Sequence, residues 1–163
     1  MESFWLLNGP GNQSDDAKKQ MEDDFQSVTE WLLTGGIDFD YVAESSLADE
    51  GERLSDGKLH CGEMAYDVLL VPSCLNIRKS TLEAMIQFSE AGGALFFVGD
   101  PPRCADCVQD ASLDRLVESS QRINLSRQTL LETLNPWREV DFLENGQRTC
   151  YISYVRRKKT AGS

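Results

Sequence analysis

The stretch Tyr66–Cys104 reads YDVLLVPSCLNIRKSTLEAMIQFSEAGGALFFVGDPPRC, and its pattern decides the fold. Val68–Val71 and Leu95–Val98 are continuous apolar runs, not alternating ones, as in parallel strands covered on both faces. Between them the spacing predicts a helix. Ser80 and Glu83 stand at capping-box separation, Leu82, Met85, Ile86 and Phe88 share one broad apolar face, and Gly92 and Gly93 close the end. Strand, helix and strand at this length make a βαβ unit, for which a right-handed crossover is expected.

Upstream, Ser14 is placed to cap a helix with Asp15 and Asp16 in its first turn, where negative charge suits the helix dipole. Met21, Phe25, Val28 and Leu32 then recur at helical spacing, and Gly35 and Gly36 end the helix. IDFDYVAE reads as a short strand with Phe39 and Tyr41 on one face, and the polar stretch from Glu44 to Lys58 as loop, with turn residues at Asp56 and Gly57. Downstream, weaker helices are expected around Leu113–Glu118 and Gln128–Leu134, the second stopped by Pro136. EVDFLENGQRTCYISYV reads as a hairpin turning at Asn145 and Gly146. The expected fold is α/β: a flavodoxin-like three-layer sandwich with a mostly parallel sheet and a C-terminal β-hairpin appended. Residues 1–138 are expected to form the α/β domain and 139–163 the hairpin or the start of a next domain, the whole reading as a fragment of a larger protein.

Sixteen Lys and Arg against twenty-seven Asp and Glu give the 163-residue chain a net charge of −11. That charge repels phosphate backbones and anionic membrane surfaces, so neither nucleic acid nor membrane is expected as a partner. Arg156–Lys159 read as a solvated basic tail. No apolar stretch approaches the roughly twenty residues needed to cross a bilayer, and no signal peptide is visible. Five cysteines, an odd number in a domain large enough to fold unaided, fit free thiols in a reducing compartment, and the expected location is cytoplasmic.

The segments ESFWLLNGPGNQSD, VTEWLLTGGIDFDYV, YDVLLVPSC, TLEAMIQFSEAGG and ALFFVGDPP, in that order, resemble the class I glutamine amidotransferase-like domain in the divergent form built into large bacterial glycoside hydrolases. Similar modules are the trimerisation domain of bacterial β-galactosidases and a comparable one in α-L-rhamnosidase-like enzymes. The resemblance runs from about Glu2 to Pro102. It implies that the catalytic carboxylates of the parent enzyme sit on another domain, usually a barrel, and that the partners are other domains of that parent and further copies of this one. It also leads one to expect a buried strand just upstream of ESFW. Here that strand is either shortened to Phe4–Leu7 or missing, and a missing strand would leave an open slot inviting self-association.

A working amidotransferase of this class sets a nucleophilic cysteine at the elbow after the second βαβ strand, with a histidine and an acid later in the chain. The corresponding residues here are Gly99, Asp100 and Pro101. His60 is the sole histidine and precedes both strands, so no general base follows, and no catalytic residue is assigned. His60 reads as an exposed turn or strand residue, with a ligand role the lesser reading. A cysteine hydrolase acting through Cys104 or Cys74 remains a rival reading. Cys74 and Cys150 are most simply small buried apolar residues. Cys104 and Cys107 have CxxC spacing, but one pair is half a zinc site and acids surround it, so neither metal nor cofactor is assigned. Asp100 sits at the carboxyl end of a central strand, where open α/β sheets bind ligands, or else it braces the following loop. Trp5, Trp31 and Trp137 could stack on sugar rings, with Trp31 near an apolar stripe. A carbohydrate-binding module using Trp5, Asn8 and Asp100 is therefore the second rival to a non-catalytic domain serving assembly or domain positioning.

Overall fold

The computed structural model describes residues 13–47, 54–55, 57–61, 64–139, 141 and 143–148. The first half runs α1 (Gln13–Thr34), α2 (Glu44–Leu47), β1 (Leu54–Ser55), β2 (Lys58–Cys61), β3 (Met64–Tyr66), β4 (Val68–Pro72) and β5 (Asn76–Ile77). It continues with α3 (Lys79–Glu90), β6 (Ala94–Val98), β7 (Cys104–Ala105), α4 (Ala111–Ser119), β8 (Gln121–Ile123) and α5 (Arg127–Leu134). A 3-10 turn (Asn135–Trp137), β9 (Leu143–Glu144) and β10 (Gln147–Arg148) follow.

The two apolar runs pair in parallel, Val68 opposite Ala94 through Pro72 opposite Val98. β8 extends the sheet on the far side of β6, Phe96 opposite Gln121 and Val98 opposite Ile123, giving the order β4-β6-β8. Successive strand residues point to opposite faces, and the core divides accordingly. Leu95 and Phe97 face Leu82, Met85 and Phe88 of α3 and Leu113 and Leu116 of α4. Phe96 and Val98 face Val28 and Leu32 of α1 and Leu130 and Leu134 of α5. β4 splits in the same way, Leu69 and Val71 to the first cluster and Val68 and Leu70 to the second. The protein is thus mixed α and β, with helices against both faces of a parallel sheet. No described helix is long and apolar enough to cross a membrane.

Local chemistry explains the helix ends. At the close of α1 the Ile37 N–H donates to Leu32 O at 3.1 Å and the Gly36 N–H to Leu33 O at 3.3 Å, a Schellman cap. Gly36 supplies the φ of +67° that this cap requires. The capping box expected at Ser80 is not formed, because α3 already includes Lys79 and Ser80. Its start is capped from a distance instead: the Glu44 carboxylate accepts from the Arg78 N–H at 2.7 Å and from Thr81 Oγ1 at 2.9 Å. Likewise α1 includes Gln13, which puts Ser14 inside the first turn and not at the cap.

Further differences from the sequence reading are local. IDFDYVAE forms no strand among the described residues, although Phe39 and Tyr41 do meet edge to face at 5.4 Å. Ladder partners, not side-chain alternation, define a strand, and this segment has none there. The stretch read as loop from Glu44 to Lys58 contains α2 and β1, and β1, β2 and β3 form a small antiparallel sheet. Phe25 is 47 % exposed and stacks on Tyr41, while Asp24 occupies the inward position. Of the C-terminal hairpin, the described part is the pairing of β9 and β10 across Asn145 and Gly146, both with positive φ. Trp5, Asn8, the expected strand Phe4–Leu7 and Cys150 lie outside the described residues.

Candidate functional site

The carboxyl ends of three parallel strands meet at one edge of the sheet. Ser73 follows β4, Gly99 and Asp100 follow β6, and Asn124 and Leu125 follow β8. The peptide after β6 turns sharply at Gly99, whose φ is +82° and whose N–H donates to Ile123 O at 3.0 Å. A Cβ at Gly99 would overlap Ser73 Oγ. That hydroxyl is itself engaged, accepting from the Asp100 N–H at 3.1 Å and donating to Val98 O at 3.5 Å. The Asp100 carbonyl in turn accepts from the Cys74 N–H at 3.3 Å, so the backbone of Asp100 ties the loop after β6 to the end of β4.

The side chain of Asp100 is exposed and lines a cleft of about 680 Å³. Gln20 and Asp24 of α1 form one wall, and Arg122 with the residues just after β8 forms another. Asp24 is 7 % exposed. Its Oδ1 accepts from Gln20 Nε2 at 2.7 Å, whereas Oδ2 takes no hydrogen bond among the described residues and lies 3.8 Å from where a Gly99 Cβ would stand. The sequence reading did not find Gln20, Asp24, Arg122 or Asn124. One signal was available: Asp24, Val28 and Leu32 are spaced four apart, so a carboxylate shares the inward stripe of an otherwise apolar face.

The thiols stand apart from this chemistry. Burial, followed by the negative charge of Glu44, pushes the Cys74 thiol up to about 12. Cys104, on β7, is raised too, first by burial and then by Cys107, and its thiol donates to Leu75 O at 3.3 Å. Cys107 is exposed at a tight turn where Asp106 and Cys107 have φ of 49° and 65° and Ala105 bridges to Val108. His60 is on β2, opposite Ala65 in the antiparallel sheet and not in the sheet carrying Cys74 at its edge. No cluster of three or more His, Cys, Asp or Glu among the described residues is arranged to hold a metal ion. Trp31 packs against the Val28 cluster, and Trp137, though 38 % exposed, meets the Phe96 ring at 74° with centroids 5.8 Å apart.

The arrangement defines an α/β protein with a polar cleft at the carboxyl edge of a parallel sheet. No protein-family model matches the chain, nor does any curated protein or solved structure.

Proposed function

We propose that this chain is a non-catalytic amidotransferase-like domain of a multidomain glycoside hydrolase, built as a flavodoxin-like three-layer sandwich and acting in assembly or domain positioning. One observation carries the reading. At the elbow where an amidotransferase of this class needs its nucleophile, the backbone takes a left-handed conformation at a glycine, and Ser73 Oγ fills the space a side chain would need. A thiol cannot be placed there without moving Ser73. Burial raises the thiols of Cys74 and Cys104 above the usual cysteine range, which disfavours the nucleophilic thiolate at both.

Assays for glutaminase, amidase and glycosidase turnover should all be silent, and glutamine hydrolysis that disappears in Cys104→Ala would refute the proposal. The assembly role is tested separately. Among the described residues β4 pairs on one side only, and the apolar segment Ser3–Leu7 offers aromatic and leucine side chains for contact. Net charge −11 opposes association, so self-association should tighten with salt. Sedimentation at low and moderate ionic strength, with Trp5→Ala and Leu6→Asp as probes, should show mass above one chain for the wild type. A strictly monomeric wild type at both salt levels would leave domain positioning as the remaining role. For the parent, the reading frame beside this segment should encode a barrel domain bearing two carboxylates.

A further inference from the structure

We propose that the cleft at the carboxyl ends of β6 and β8 binds a neutral, hydroxyl-rich ligand, a saccharide unit, held by Asp24, Asp100, Arg122 and Asn124. The site stands on its own geometry and does not rest on the assignment of a parent enzyme. Its position is the one in which open α/β sheets gather ligands, beyond the carboxyl ends of the strands. Its volume of about 680 Å³ falls inside the roughly 300–1,000 Å³ range of small-molecule sites.

The deciding feature is Asp24. A carboxylate at 7 % exposure is costly to bury unless its oxygens are hydrogen-bonded, and here one oxygen is supplied by Gln20 while Oδ2 is left toward the cleft beside Gly99. A ligand group that meets this oxygen must donate a hydrogen. Charge then selects among donors. The two carboxylates outnumber Arg122 and repel an anion, while an ammonium group, a donor only, leaves the Arg122 guanidinium and the Asn124 amide hydrogens without an acceptor. A ligand that is neutral and carries hydroxyls satisfies both walls, because each hydroxyl donates to Asp24 or Asp100 and accepts from the Arg122 guanidinium or the Asn124 amide.

The test is a titration of the full ¹⁵N-labelled chain followed by amide resonances. Galactose, rhamnose and glucose are the neutral probes, with galacturonate and galactosamine as charged controls. Saturable shifts at Gly99, Asp100, Asn124 and Leu125 with at least one neutral sugar are expected, and several-fold weaker ones with both charged controls. Asp100 and Asn124 are exposed, so Asp100→Ala and Asn124→Ala should keep the fold and weaken binding about tenfold each, the loss of one charge-assisted or amide hydrogen bond. Asp24→Asn should weaken it at least as much. Three results would overturn the proposal: no shift at these amides up to the solubility of the neutral sugars, a charged control binding most tightly, or shifts unmoved by both alanine variants. Glutamine turnover would sink the non-catalytic reading and leave these shifts as they are.

Discussion

Replacing Gly99 by alanine tests the elbow with a single methyl group. Two costs are separable in the structure. The first is conformational: φ of +82° is a backbone region that L-residues avoid, at roughly 1–2 kcal/mol. The second is steric, because the new Cβ occupies the place of Ser73 Oγ, which must swing away from the Asp100 N–H and Val98 O. Losing one or both of those bonds adds about 1–2 kcal/mol. The single variant should therefore fall by about 2–4 kcal/mol, at the upper end of ordinary point substitutions. Ser73→Ala removes the obstructing oxygen and leaves its Cβ at an ordinary 3.6 Å from the new methyl group. In that background Gly99→Ala should cost only the conformational part, about 1–2 kcal/mol. Urea denaturation of the four proteins of this cycle measures the coupling directly. A Gly99→Ala loss below about 1 kcal/mol, or one that is the same with and without the Ser73 hydroxyl, would show that the elbow has room for a side chain. The structural reason for excluding a nucleophile would then be gone.

Glu44→Ala should remove the remote cap of α3, costing about 0.5–2 kcal/mol by thermal or urea unfolding, whereas Ser80→Ala should cost less because Ser80 caps nothing. Burial raises the Cys74 thiol to about 12 in the folded chain, while in the unfolded chain it ionises near its ordinary value of about 8.5. Between those values the unfolded state releases a proton that the folded state keeps, so this contribution is fully present below pH of about 8.5 and is lost as pH rises toward 12. Cys74→Ala should flatten the alkaline fall of stability relative to wild type, and an identical pH profile for the two would count against the burial. Iodoacetamide labelling read by mass spectrometry should reach exposed Cys107 well before Cys74, and the reverse order would contradict the placement of both.

Gly93→Ala should also destabilise, since a Cβ there would collide with the ring of fully buried Phe88. Overpacking of this kind costs about 1–3 kcal/mol, and a thermal shift comparable to that of an exposed-site alanine would refute the contact.

Elements whose cause is local could be read from the amino-acid order. An uninterrupted apolar run can only be satisfied between two covering layers, so β4 and β6 were legible. A glycine pair after an amphipathic stretch supplies the left-handed cap that ends a helix, so the close of α1 and of α3 was legible as well. That the sole histidine of these 163 residues precedes the β6 elbow was a matter of counting along the chain. Features that depend on partners distant in sequence emerge with the packing of the folded chain. β8 is three residues long with two exposed polar ones, and it is a strand only because Phe96–Val98 offer it a ladder. IDFDYVAE alternates as a strand should and is none where described, since alternation does not provide a neighbour. The cap of α3 comes from Glu44, 34 residues before Arg78, and no local motif announces it. The cleft is the furthest from the sequence: Asp24, Asp100 and Asn124 are remote in the chain and come to line one polar cleft only when α1 packs at the carboxyl ends of β6 and β8. Periodicity reports how each segment buries its own apolar surface, whereas a site is made by the ends of segments, and their meeting is set by how the layers stack.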